Sequence, residues 1–307
     1  MSDLAPPQFP PGYRTRPAAV GDAREIDRLV TACEQELHGD VETDPGAVAA
    51  GPVLSGLDLA ADTLLVFGPA GDLAARAWLT SCRRARIDVH PTHRGHGLGS
   101  RLLDWAEDRA GRLGSERLSQ TISADDRTAV ALVRSRGYEP FVTQWQLAIA
   151  LPTEPVVPEP PAGLTVRSFR TGDGQAAYQV AEDAFGEWQS RRKSYEEWAR
   201  ENVEHPDFAP AASIMAFADG ELVGVVLSLV GPDADEGYLA QVAVRADHRN
   251  QGIARLLVQH AFRSFHRQGL RGCTLWTHSE TGALSFYERL GMTVRRGSAV
   301  YGKPLGS

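Results

Sequence analysis

Hydrophobic and polar positions change their period repeatedly along this chain, and each change marks an element. The pattern is sharpest after residue 163. Leu164 to Phe169 reads as a short strand, and Gln175 to Glu187 as a helical region. Ser194 is placed to cap a helix over Tyr195 to Glu204. Ser213 to Ala218 and Leu222 to Leu229 read as two strands of a hairpin turned at Asp219-Gly220. Tyr238 to Val244 is the next strand. Ile253, Leu256, Leu257, Ala261 and Phe265 then fall on one face of a helix. Gly272 to Thr277 is a strand, Ala283 to Leu290 a helix closed by Gly291, and Val294 to Val300 a last strand. The first half shows a similar order with weaker signals. The expected class is α/β (α+β), a mixed sheet layered with helices.

Residues 152–163 hold five prolines in twelve positions, which excludes a helix or a central strand. They predict an extended, semi-rigid linker. The segments on its two sides repeat each other. Arg16 with Gly21-Asp22 matches Arg167 with Gly172-Asp173 at an offset of 151. Arg94-Gly-His-Gly97-Leu-Gly99 matches Arg249-Asn-Gln-Gly252-Ile-Ala254 at an offset of 155, and Gly137-Tyr138 matches Gly291-Met292 at 154. One fold used twice is expected, as an N-terminal domain (1–151), a linker (152–163) and a C-terminal domain (164–307).

Composition adds limits. With 307 residues, the chain is about twice a typical domain, and 42% hydrophobic content can supply a core to each half. Its formal net charge is −7 and neither half has a basic excess, so no domain-wide footprint for nucleic acid is expected. Cys33, Cys82 and Cys273 are odd in number and far apart, which argues against a disulfide framework or a structural zinc. No secretory leader and no bilayer-length apolar run is read, so the expected location is the cytoplasm.

The chemistry gathers in one strand–loop–helix unit: Gln241 to Val244, then Arg245 to Gln251, then Gly252-Ile253-Ala254 opening the helix. A helix start offers unpaired N–H groups and the positive dipole end, and small residues let an anion approach the backbone. The unit suits a phosphate or pyrophosphate. A tight turn that merely needs glycine is the competing reading. No Gly-Lys-Ser/Thr follows, so it is not a Walker loop.

Arg249-x-x-Gly252-x-Ala254 after Val242-Ala243-Val244 resembles the acetyl-CoA motif of the GNAT superfamily of N-acetyltransferases. Arg94-x-x-Gly97-x-Gly99 after Ile87-Asp88-Val89 resembles it too. Ala283 to Met292, with Tyr287 and Gly291, is similar to the superfamily's second signature. The resemblance covers roughly residues 12–149 and 163–305, and the tandem arrangement is similar to that of two-domain actinobacterial acetyltransferases. It implies two GNAT-like domains, each a mixed, mostly antiparallel sheet flanked by helices.

The resemblance also implies a site. Acetyl-CoA would bond through its pantetheine arm to the main chain of Val242, Ala243 and Val244. Its pyrophosphate would sit on Arg249, Asn250, Gln251, Gly252, Ile253, Ala254 and Arg255. The matching set in the first half is Val89, Arg94, Gly95, Gly97 and Gly99. Tyr287 takes the position of the general acid, whereas Val133 fills it in the first half, so that half would be catalytically degenerate. Residues 238–244 hold no carboxylate where many members carry a basic Glu. His278, Glu280 or a water chain would act as the base.

The implied reaction is acetyl-CoA-dependent transfer of an acetyl group to a primary amine. The acceptor is a small molecule, or a peptide or protein amine. Another acyl-CoA donor, or a non-catalytic CoA-binding sensor or assembly module, are the alternatives. No metal, nucleic acid or membrane partner is expected, and homodimer formation stays open. His90, His93 and His96 read as solvated loop histidines rather than zinc ligands. Arg191 to Lys193 reads as a solvated basic turn. Phe185, Trp188, Tyr195 and Trp198 read as core or as walls of an acceptor pocket, and Trp276 is expected in the core.

Overall fold

A computed structural model describes residues 8–39, 57–186 and 192–306. Trp188, Arg191 and the end of the helical region read to Glu187 lie outside the described residues. The chain forms two compact units, residues 1–143 with 298–307, and residues 144–297.

The first unit holds β1 (Arg14–Arg16), α1 (Ala23–His38), α2 (Leu59–Asp62), β2 (Thr63–Phe67), β3 (Leu73–Thr80), β4 (Arg84–Val89), α3 (Leu98–Arg112), β5 (Arg117–Ser123) and α4 (Arg127–Ser135). Next comes β6 (Glu139–Ala150). The second unit holds β7 (Leu164–Ser168), α5 (Gly174–Phe185), α6 (Tyr195–Glu201), β8 (Ile214–Ala218), β9 (Glu221–Leu229), β10 (Glu236–Val244), α7 (Ile253–Arg267), β11 (Gly272–His278) and α8 (Leu284–Glu288), and the chain ends in β12 (Thr293–Pro304). Among the described residues, no helix is long and apolar enough to cross a membrane.

Strand order in the first unit is β1-β2-β3-β4-β5-β12, and in the second β7-β8-β9-β10-β11-β6. Neighbours are antiparallel except β4 with β5 and β10 with β11. The two orders correspond strand for strand, with the last members exchanged. Ser298 to Pro304 of β12 pair with β5, and Gln144 to Ala150 of β6 pair with β11. Along the sequence the halves part at residues 152–163, whereas the compact units part inside β6 and β12. An exchange of this kind leaves no mark on local hydrophobic pattern, because either strand has the same alternation. Residues 152–163 carry no regular element and are exposed or half-buried.

Each sheet is covered on both faces. In β2, Leu64 and Val66 pack with Leu98, Leu102 and Trp105 of α3, and the intervening Leu65 packs with Ile26, Leu29 and Val30 of α1. In the second unit Val226 joins Leu257, Val258 and Tyr287, while Val225 and Leu227 join Val180, Ala181 and Trp198. This double burial explains the unbroken apolar run from Leu222 to Leu227. The helix expected to Glu204 stops at Glu201. Asn202 leaves helical geometry at φ −125° and its side-chain amide donates to the Trp198 carbonyl at 2.8 Å, an alternative to continuing the helix.

Candidate active site

The site in the second unit begins where two strands part. β10 and β11 pair only through Glu236↔Gly272, Gly237↔Cys273 and Tyr238↔Thr274. Beyond these, β10 keeps its ladder with β9 to Val244, with a bulge between Leu239 and Gln241, and β11 keeps its ladder with β6 to His278. The main chain of Val242 to Val244 therefore lacks a β11 partner on that side. A free strand edge of this kind can accept an extended ligand.

The strand leads through a turn at Ala246–His248 to α7. Asn250 at φ +63° and Gly252 at φ +80° both adopt the left-handed region. Asn and Gly are the residues that do so at least cost. Gly252 is exposed, and a Cβ built there meets nothing within 4 Å. The N–H groups of Ile253, Ala254 and Arg255 open the helix with no carbonyl one turn below. Several N–H groups at the positive end of a 15-residue helix are able to bond an anion.

Arg249 has a different task from the amides around it. Its Nε donates to the Val244 carbonyl at 3.3 Å, and a terminal amino group donates to the Ala184 carbonyl at 3.4 Å. It ties the loop to the strand before it and to the end of α5. In the first unit Arg94 Nε donates to the Val89 carbonyl at 3.4 Å, and the guanidinium pairs with Glu36 of α1. Gly95 (φ +80°) and Gly97 (φ +76°) repeat the two left-handed positions, and Gly99 lies in the first turn of α3. β4 and β5 pair in parallel only at Arg84↔Ser119, so this sheet parts as well.

Tyr287 lies on α8, 8% exposed, within the cluster that includes Leu257, Leu275 and Met292. Its hydroxyl hydrogen-bonds to no described side chain. Burial, with smaller effects from Cys273 and Tyr238, pushes its pKa well above that of an ordinary phenol. His278 ends β11 about level with Val242 and Ala243. Its buried Nδ1 has no hydrogen-bond partner among the described residues, and Glu280 Oε2 stands 3.6 Å away, within ion-pair range only. The structure thus brings His278 and Glu280 together on one turn, with Tyr287 on the helix that follows.

Two sequence readings change, those of Trp276 and His93, and the reading of Trp198 narrows to one of its two alternatives. Trp276, expected in the core, is 40% exposed. It alternates with the buried Leu275 and Thr277, and the apolar layer under α5 and α6 takes residues of β8, β9 and β10 but none of β11. Trp198 is fully buried, and its indole N–H donates to Gln241 Oε1 at 3.1 Å. It is core, and it fixes the side chain that stands in the stretch lacking a carboxylate. Finally, His93 is a structural tie: Nδ1 lies 3.0 Å from the Tyr13 hydroxyl and Nε2 2.7 Å from Asp72 Oδ2.

A parted parallel pair, an amide-lined loop and a helix-borne tyrosine define an N-acetyltransferase of the GNAT type. The acetyltransferase (GNAT) family model matches residues 71–138 and 175–292, and the chain belongs to that family. Among curated proteins, the mycothiol acetyltransferase of Cellulomonas flavigena is 30% identical over 235 residues, covering 72% of this chain and 67% of that protein. The mycothiol acetyltransferase of Streptomyces scabiei is 30% identical and covers 71% and 70%. Among solved structures, a GCN5-related N-acetyltransferase from Sphaerobacter thermophilus has a TM-score of 0.80 at 30% identity, covering 98% of both chains. A tandem GNAT protein from the clavulanic acid biosynthesis pathway shares the fold, with a TM-score of 0.74 at 18% identity over 96% and 99% of the two chains. The protein is a tandem GNAT acetyltransferase.

Proposed function

We propose that the second unit transfers an acetyl group from acetyl-CoA to a primary amine of a small molecule. The observation that carries this reading is the parting of β10 from β11 on the strand that leads, through one turn, to the Asn250–Arg255 amides. The free edge of Val242 to Val244 suits the amide-bearing pantetheine arm, and the helix start suits the pyrophosphate. The curated relatives' name, mycothiol acetyltransferase, supports a small-molecule acceptor.

In this reaction the amine nitrogen attacks the thioester carbonyl carbon. A main-chain N–H of the free strand edge stabilises the oxyanion. The C–S bond then breaks, the thiolate takes a proton from Tyr287, and the amine's proton passes to His278, assisted by Glu280, or to water. Burial holds Tyr287 protonated until that moment. The same environment raises a thiolate's proton affinity, so the transfer is not opposed by the raised phenol.

Thiol release from acetyl-CoA in the presence of a panel of small amines tests the reading. Amine-dependent release by the wild-type chain, abolished by Gly252→Asp, is expected. Tight CoA binding without release for any small amine would favour a non-catalytic CoA-binding module.

A further inference from the structure

Arg76 on β3 and Asp88 on β4 face each other across the first unit's ladder, and Arg76 Nε donates to Asp88 Oδ2 at 2.6 Å. Arg76 has no exposed surface. Its guanidinium lies over the Trp78 ring, 3.9 Å from the centroid. Both terminal amino groups are buried and have no hydrogen-bond acceptor among the described residues. Arg86 stands 3.6 Å from Asp88. From α1, the Cys33 thiol donates to the Val89 carbonyl at 3.4 Å, and burial pushes its pKa up to about 12, so it is uncharged.

The arrangement is expensive. Burying an ion costs several kcal/mol, and each buried donor without an acceptor adds about 1–3 kcal/mol. The fold does not require it. With Val89 matched to Val244, Asp88 corresponds to Ala243. Ala243 pairs across the second unit's ladder with Val225, just as Asp88 pairs with Arg76. Ala243 and Val225 are buried in the apolar layer under α5. One repeat fills the place with methyl groups and the other with a guanidinium that uses only its Nε.

We infer that this place in the first unit is a binding site for a small monocarboxylate. The two amino groups form the fork that matches two carboxylate oxygens, and the Trp78 ring fixes its plane. Charge selects the class. Among the described residues, the buried Arg76 and the half-exposed Arg86 against Asp88 leave one positive charge, and the nearby Arg94 is already matched by Glu36. A single carboxylate closes that balance, whereas a phosphate dianion overshoots it. Both amino groups are covered, so the ligand reaches them only as the packing over the β3–β4 face loosens. The first unit, without a tyrosine at Val133, would then be a receptor rather than a spare catalytic copy. This inference does not depend on the reaction assigned to the second unit.

The test is calorimetry on the full chain with acetate, butyrate and benzoate at fixed ionic strength, against inorganic phosphate and chloride. Saturable binding of a monocarboxylate at one site per chain is expected. Arg76→Lys keeps the charge but loses the fork, and should weaken that binding tenfold or more. Arg76→Val with Asp88→Ala installs the second unit's apolar pair. It should retain the fold, judged by circular dichroism and melting, and lose the binding altogether. No saturable binding of any monocarboxylate, tighter binding of phosphate, or unchanged affinity in the folded double variant would each overturn the proposal.

Discussion

Val133 occupies in the first unit the place that Tyr287 occupies in the second. The Tyr138 amide donates to the Val133 carbonyl at 3.1 Å, and the Met292 amide donates to the Tyr287 carbonyl at 3.2 Å, so the two short helices close on the same bond. Both side chains are buried. The repeats share their backbone here and differ in chemistry, because valine has no proton to give.

The proposed anion site at α7 should be intolerant of a carboxylate. Gly252→Asp puts a side chain and a negative charge at an exposed position with φ +80° where nothing else stands within 4 Å. Affinity for CoA should fall at least tenfold, read by calorimetry, with the melting temperature changed little. Asp is among the better non-glycine residues at positive φ, which keeps the backbone cost to about 1–2 kcal/mol.

Gly97→Asp makes the equivalent change in the first unit, at φ +76° and again with open space around it. Turnover by the second unit should stay within about twofold of wild type, because Val133 leaves the first unit without the proton donor that the reaction calls for. Steady-state kcat with a working amine checks this.

Acid should loosen both units in the same way. Arg16 makes two bonds of 2.6 Å to Asp22, and Arg167 bonds of 2.6 and 2.8 Å to Asp173. Each carboxylate also accepts a backbone N–H at 2.7 Å, from Ala19 and Arg170. These guanidinium bonds, ahead of the opposing burial, hold both carboxylates below their usual pKa. A depressed carboxylate stabilises the fold above the usual carboxylate range and loses that stabilisation as the pH falls below it. Asp173→Asn should cost about 1–2 kcal/mol at neutral pH, the Arg partner being partly exposed. It should also flatten the loss of melting temperature as the pH falls through about 4 and below. An acid limb as steep as that of wild type would assign the pH dependence to other groups.

The residues of that pair of clamps stood in the sequence as landmarks of the repeat, Arg16 with Asp22 and Arg167 with Asp173 at one offset, but the bonds between them needed the fold. The loop before each long helix was visible because left-handed positions demand Gly or Asn, and Asn250 aligns with Gly95. That Val133 stands where the second unit has Tyr287 followed from one aligned position. What stayed hidden depends on contacts between distant segments. The exchange of β6 and β12 lies in strand pairing, the bulge in β10 in a single extra residue, and the exposure of Trp276 in where a helical layer ends. Arg249 belonged to the right loop, but its bonds to the Val244 and Ala184 carbonyls needed the fold.

In the reaction we propose, Tyr287 gives up the proton as the C–S bond breaks. Tyr287→Phe keeps the ring against Phe286, 5.0 Å between centroids, and removes a hydroxyl that bonds to no described side chain. Folding and CoA affinity should hold. With a working amine and under conditions where chemistry limits the rate, kcat should fall by about 10²–10⁴-fold with KM little changed. Full kcat in a folded, CoA-binding Tyr287→Phe variant would contradict the account.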